Sequence, residues 1–252
     1  MADRLEINYQ ALKLRKIIGV DEDSPIDIFS LFNDYPELTL VFYPFSERIS
    51  GLCYRNTKAN LIAINSSMTL GRQRFSLAHE LFHLFYDTNE KSISSSDLES
   101  NDEIEMKANI FASYFLAPYS SLRFEIEKMN KKIEFEDILY LNNIYKMSYG
   151  AMAYRLLCDG YINRKEYEKL SKTKNIVKKA NELGYDINIY LKNDNNTKIT
   201  YGNYLKQVNE LKKKKMISDG KAKELLLTAF RDDIVFNHNK ESVINDWFVF
   251  FW

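Results

Sequence analysis

The spacing of apolar positions changes twice along this chain, from helical to strand-like and back again. Residues 4–18 carry apolar side chains at helical spacing and stop at Gly19, which predicts a helix closed by a C′ glycine. Ser24-Pro25 has the order of an N-cap followed by a proline in the first helical turn, so a second helix is expected through Ile28, Leu31 and Phe32, ending before Pro36. Residues 38–45, 49–54 and 61–65 are short runs of Val, Ile, Leu and aromatics separated by turn-like segments, and they predict a three-stranded antiparallel sheet. With Ser76 as N-cap, Leu77, Leu81 and Leu84 then form the apolar stripe of a helix. Residues 88–101 turn polar, with Ser92, Ser94, Ser95 and Ser96 close together, and read as a solvated loop. Helical spacing returns over 102–116 and ends ahead of Pro118, and further helices are expected over 135–141, 149–158 and 165–170. The polar stretch 171–175 marks a boundary. Beyond it 176–183, 201–217 and 219–230 read as helical, with an Asn-rich loop at 193–196 and a strongly apolar tail at 246–252. The expected architecture is α+β, with a small sheet and its helices in a domain over 1–172 and a mainly helical extension over 173–252.

Composition narrows the class. Apolar residues make up 45% of the 252 positions and charged residues 28%, enough to bury a core and ordinary for a globular protein. Thirty-five basic residues balance 35 acidic ones, which gives no global electrostatic case for nucleic acid or an anionic membrane as partner; any such binding would have to be local. The first residues mix acids with bases and no apolar run follows, so neither a secretory signal nor a membrane span is expected. Cys53 and Cys158 stand far apart in apolar contexts, which fits packed thiols in a reducing cytoplasm.

The chemistry is concentrated between Arg74 and Asp87. Two of the three histidines, His79 and His83, stand four apart with Glu80 beside the first. On a helix, positions four apart share a face, so both imidazoles can reach one metal ion, zinc by default, while the glutamate projects toward a water. Paired histidines on an amphipathic helix can instead be satisfied core or surface residues, but with histidine this scarce a chance pairing around a glutamate is rare. A catalytic site of this kind needs a third ligand. Tyr86 and Asn89 stand where a downstream glycine and histidine would have to be, and Asp87, four beyond His83, suits a hydrogen bond behind an imidazole or a C-terminal turn. The favoured ligand is Glu105 on the next helix, with Ala108 and Ala112 on its face to allow close approach; Glu103, about 200° round the helix, is the runner-up, and both acids are alternatively solvated. His238, alone in a polar stretch, reads as a surface residue. With a metal in place Glu80 is the expected general base, and Tyr114, Tyr119 and Tyr145 are compositional candidates for an oxyanion-stabilising group.

Several segments together resemble the ImmA/IrrE-type metallopeptidases: Ile49-Ser50-Gly51, Ala63-Ile64-Asn65, the run from Arg72 to His83, Glu105-Met106-Lys107-Ala108-Asn109-Ile110-Phe111-Ala112, Leu116-Ala117-Pro118, and Ser148 to Leu156. The likeness covers about the first two-thirds of the chain. It implies a zinc-dependent endopeptidase with His79, His83 and Glu105 as ligands and Glu80 as the catalytic acid–base, acting on a helix-turn-helix repressor or an antitoxin. The same resemblance admits the toxin of a toxin–antitoxin pair, and the rival from another class is a metal-binding regulator without peptidase activity. The extension after 172 is expected to recognise the protein partner through Trp247, Phe248, Phe250, Phe251 and Trp252, with docking onto the first domain as the alternative.

Overall fold

The computed structural model describes residues 4–33, 35–57, 59–95, 97, 102–192 and 197–236. The Asn-rich loop, His238 and the apolar tail therefore lie outside the described residues. The chain opens with α1 (Arg4–Ile17), as its periodicity predicts. The next helix, α2 (Ile28–Asn33), starts later than Ser24-Pro25 suggested. The reason is a turn at Asp21, whose carboxylate accepts from the backbone N–H of Asp23 at 2.8 Å and of Ser24 at 2.6 Å. Ser24 is thereby committed to that turn and does not cap a helix.

Three strands follow, β1 (Leu38–Tyr43), β2 (Ile49–Arg55) and β3 (Asn60–Asn65). They lead into α3 (Leu70–Tyr86), after which come β4 (Lys91–Ser95) and α4 (Glu103–Leu116). Four more helices, α5 (Tyr119–Met129), α6 (Phe135–Tyr145), α7 (Tyr149–Cys158) and α8 (Arg164–Ser171), precede α9 (Ile176–Glu182) and a 3₁₀ turn at Asn188–Tyr190. The described chain ends with β5 (Ile199–Gly202), α10 (Asn203–Lys213), α11 (Asp219–Thr228) and α12 (Asp232–Phe236).

The fold is α+β, but the sheet corrects the expected three antiparallel strands. It has five strands in the order β4-β2-β3-β1-β5 and is mixed. β3 runs parallel to β1, from Leu38 opposite Asn60 to Tyr43 opposite Asn65, and antiparallel to β2, while β4 and β5 add antiparallel edges. Consecutive strands were expected to be neighbours; instead β3 inserts between β1 and β2. Its four consecutive buried residues, Ile62 to Asn65, suit a central strand covered on both faces. β4 escaped notice because an exposed edge strand made of Lys, Ser and one Ile has no apolar stripe to read. β5 is four residues long and was absorbed into the start of a helix.

α3 crosses the β2–β3 part of the sheet and α4 packs along α3, so the core lies between them, built from Leu40, Ile62, Ile64, Leu77, Leu81, Phe111 and Phe115. Fully burying each such side chain stabilises the fold by about 1.5–3 kcal/mol. Residues after 172 return to this frame. The Leu70 N–H donates to the Leu191 carbonyl at 3.2 Å, Thr69 forms a β-bridge with Lys192, and β5 covers the β1 edge. In α10 and α11 a small separate core forms from Val208, Ala222 and Leu226. No helix among the described residues is long and apolar enough to cross a membrane.

Gly71 marks how closely the start of α3 is held. A Cβ there would meet the Ser148 nitrogen at 2.9 Å, the Ile189 carbonyl oxygen at 3.0 Å and the Met147 carbonyl carbon at 3.1 Å, whereas one on Gly150 in α7 meets nothing within 4 Å. Gly71→Ala is therefore expected to cost about 1–3 kcal/mol through overpacking, and Gly150→Ala to gain about 0.5–1 kcal/mol as an ordinary helix substitution. Urea unfolding midpoints that move together in the two variants would contradict this packing.

Candidate metal centre

The helix that carries His79 and His83 begins two turns earlier than its apolar stripe implied. Its N-cap is Thr69, and Ser76 lies buried in the middle. Arg72, Gln73 and Arg74 belong to the helix; Gln73 donates to the Met68 carbonyl at 2.7 Å and Arg74 to the Ile26 carbonyl, so this polar stretch is mostly buried. At the other end Arg55 of β2 donates to the carbonyls of Leu84 at 2.9 Å and Asp87 at 2.6 Å, placing a cation where the helix dipole is negative. That anchor fixes Asp87, whose Oδ2 lies 2.9 Å from His83 Nδ1. The role read for Asp87 from its spacing is the one it has.

α4 supplies the second half. Asp102 caps it, accepting from Ile104 N–H at 2.8 Å and Glu105 N–H at 3.1 Å, and the fully buried Ala108 and Ala112 let it lie close to α3. One helical turn separates Glu105 from Asn109, so both face the histidines. Glu105 Oε2 is 3.2 Å from His79 Nε2 and Oε1 is 3.3 Å from His83 Nε2, while Asn109 Oδ1 lies 2.9 Å from His79 Nδ1.

The protons decide what this arrangement is for. Ionised Asp87 and the Asn109 amide oxygen only accept, so each Nδ1 carries a hydrogen and each Nε2 is left to meet a proton or offer its lone pair to a metal ion. Those two Nε2 atoms stand 3.2 Å apart. Two lone pairs facing one point, with a carboxylate beside them, fit a cation. A tetrahedral ion with ligand atoms at about 2.0–2.1 Å has edges of roughly 3.3–3.4 Å, close to the three separations observed. Among the described residues His79, His83 and Glu105 are the group of donors that could hold a metal ion.

The electrostatics agree. Burial pushes the Glu105 carboxyl up, but its hydrogen bonds with His79 and His83 outweigh this and hold it down to about 2. Burial likewise pushes His83 down, yet Glu105, Glu80 and Asp87 raise it to about 9. The surroundings therefore favour positive charge at this point, whether it is a proton or a metal.

Glu80 is fully buried beside the cluster, and neither carboxylate oxygen has a hydrogen-bond partner among the described residues. Burial raises its carboxyl, opposed by His79, the adjacent Ser94 hydroxyl of β4 and His83. Gly51 makes room for it, since a Cβ there would lie 2.7 Å from Glu80 Oε1. Cys53, further along β2, is buried and pushed up to about 12 by burial and by Glu80, which makes it a packed thiol.

The remaining candidates sit elsewhere. Glu103 is exposed and pairs with Lys107 at 2.7 Å. Tyr114 donates to Asp159 at 3.4 Å and lies against Arg155, Tyr145 shares a hydrogen bond with Ser121 at 2.8 Å, and Tyr119 is exposed; none of these contacts involves the histidines. Sequence reasoning missed Asn109, which the same four-residue spacing, counted from Glu105, would have found. It missed Gly51 as well, where a lone glycine inside a strand signals close approach. Ser94 carried no signal within a serine-rich run.

Two imidazoles and one carboxylate on adjoining helices, with a buried acid beside them, form the donor set that metal-dependent peptidases use. Residues 35–157 match the peptidase M78 family model, described as the IrrE N-terminal-like domain, and this segment belongs to the ImmA/IrrE family of metallopeptidases. The matched segment contains β1 to β4 and all three donors. No curated protein matches the chain.

Glu105→Ala is expected to lower metal affinity by more than the roughly 10–100-fold expected for Asn109→Ala, which removes only the support behind His79. Glu103→Ala should leave affinity unchanged. Competition against a chromophoric chelator measures all three, and an equal loss in Glu103→Ala would move the ligand.

Proposed function

We propose that this chain is a zinc-dependent endopeptidase that cleaves a protein regulator, a helix-turn-helix repressor or an antitoxin. The observation that carries the reading is Glu80, a fully buried carboxyl without a hydrogen-bond partner among the described residues, next to three convergent metal donors. Burying a carboxyl whose support is limited to the adjacent Ser94 hydroxyl and the two imidazoles costs free energy even so. A site that only bound metal would do as well with a neutral side chain there, which weighs against the non-catalytic reading.

His79, His83 and Glu105 would hold the metal, whose Lewis acidity polarises a peptide carbonyl and acidifies a water. Asn109 and Asp87 orient the imidazoles through their Nδ1 hydrogens. Glu80, kept clear of β2 by Gly51, takes a proton from the attacking water and delivers it to the leaving amine. Zinc is the favoured metal because it accepts mixed nitrogen and oxygen donors in tetrahedral geometry. The choice of a DNA-binding regulator as substrate rests on the family likeness.

Purified protein should contain about one zinc per chain. Glu80→Gln should keep that zinc, be no less stable, and lose about 10²–10⁴-fold in cleavage of a helix-turn-helix substrate protein, read by mass spectrometry of the products. Cleavage at the parent rate by Glu80→Gln would sink the catalytic assignment. We further assign partner recognition to the aromatic segment 246–252. A chain ending at Phe236 should then retain zinc but fail to cleave the folded partner, and unimpaired cleavage would place recognition elsewhere.

A further inference from the structure

The neutral total of the chain conceals an uneven placement of charge. From Asn203 to Thr228, the hairpin of packed helices α10 and α11 with its connecting turn carries seven lysines against three acids, which leaves 28 basic and 32 acidic residues in the rest. Six of the seven gather around the turn that joins the helices. Lys212 and Lys213 end α10, Lys214 and Lys215 follow it, and Lys221 and Lys223 stand early in α11; all six are exposed.

Helix stability accounts for only part of this. Lys212 and Lys213 lie in the last turn of α10, where cations complement the dipole, but Lys221 and Lys223 lie in the first two turns of α11, where they oppose it. Lys215 is in the left-handed region at φ 55°. Its N–H bonds to the Lys212 carbonyl and that of Met216 to the Leu211 carbonyl, both at 2.9 Å, so Lys215 occupies the C′ position that glycine fills without strain. A side chain is kept at a position where the backbone would be better served without one.

Ion pairing leaves charge over. Lys212 pairs with Asp219 at 3.1 Å, Lys214 with Glu210 at 3.5 Å and Lys221 with Glu224 at 2.7 Å, all on the surface. No described acid lies within ion-pair distance of Lys213, Lys215 or Lys223. The hairpin is also firmly mounted. Its own core holds the helices together, Tyr204 N–H donates to Thr39 Oγ1 at 3.2 Å, and Phe230 packs on Tyr43. It stands at the β5 edge, whereas Glu80 borders β2 and β4 near the opposite edge.

We propose that the tip of the α10–α11 hairpin binds the phosphate backbone of duplex nucleic acid without reading its sequence. Every basic residue of the hairpin is lysine, a point charge without the fork by which arginine reads guanine edges or grips carboxylates. Met216 is the one large apolar side chain strongly exposed at the tip, too little to insert into a lipid surface. Lysine is depleted at protein–protein interfaces, which disfavours an acidic protein as the occupant. The inference does not depend on the peptidase reading, since binding is measured without cleavage.

Fluorescence anisotropy of a short labelled duplex, titrated with the full chain, tests it. Three phosphate contacts predict affinity falling roughly 40-fold between about 50 and 200 mM salt. The triple variant Lys213→Gln, Lys215→Gln, Lys223→Gln should lose that binding with an unchanged circular dichroism spectrum. Lys215→Gly should bind more weakly yet unfold at a higher temperature, a combination that loss of structure cannot produce. Absence of binding at low salt, or equal affinity in the triple variant, would overturn the proposal. So would retention on phosphatidylserine vesicles without duplex binding, which would assign the tip to membranes, or displacement of the duplex by polyglutamate at equal charge, which would assign it to an acidic protein.

Discussion

Two imidazole nitrogens converge to 3.2 Å in this protein, an approach that costs free energy unless a proton or a metal ion stands between them and the facing carboxylate. The arrangement persists because each ring is fixed from behind, His79 by Asn109 and His83 by Asp87, and because a carboxylate faces both. With Glu80 added, four ionisable groups crowd the junction of α3, α4 and β2. In that low-dielectric setting the two carboxyls favour positive charge at the histidines, supplied by a proton on His83 or by a cation that all three donors could coordinate. The rest of the fold supplies the rigidity that keeps the donors pointed inward before any ion arrives.

Much of that rigidity comes from arginines whose partners are backbone carbonyls. Arg55 closes the C-terminal end of α3 through Leu84 and Asp87. Arg15 from α1 reaches the Phe115 carbonyl at 2.6 Å, and Arg155 from α7 the Ala117 carbonyl at 3.1 Å, so the end of α4 is also held by guanidinium groups. The two helices that carry the donors are thus each pinned at the end where their carbonyls would otherwise be orphaned. Arg74 does the same for the connection ahead of α2. An apolar core alone would let α3 and α4 slide by fractions of an ångström, which a coordination site of this size does not tolerate.

What was legible in the sequence followed from rules local to one helix. His79, His83 and Asp87 are spaced by fours on α3, and Glu105 was found from the small residues that share its face of α4. The parts that were not legible depend on pairings between distant segments. The parallel β1–β3 contact follows from which strand is buried on both faces, a property that composition in a short run does not reveal. β4 forms because β2 offers a ladder to an otherwise polar stretch, and β5 because the chain returns to β1 from far along the sequence. The early start of α3 was hidden for a related reason, since Gln73 and Arg74 appear polar but spend their donors on buried carbonyls.

The chain beyond residue 172 performs two physically different tasks. From the 3₁₀ turn to β5 it is joined to the sheet and α3: Leu191 accepts from Leu70 at the first turn of α3, Ile189 sits against Gly71, and Ile199 to Gly202 cover the outer edge of β1. Without those contacts the N-terminal turn of α3 would lose a partner for its backbone and β1 would present unpaired groups to solvent. From α10 onward the packing changes character, because the buried residues there pack on one another and reach the sheet through a few contacts at Thr39, Tyr43 and Thr200. Substitutions in the first part should therefore propagate into the metal helix, while the hairpin can vary its surface without disturbing the donors. A lysine-rich tip on such a mount is free to follow the demands of binding, which is why its charge can depart so far from that of the body it is attached to.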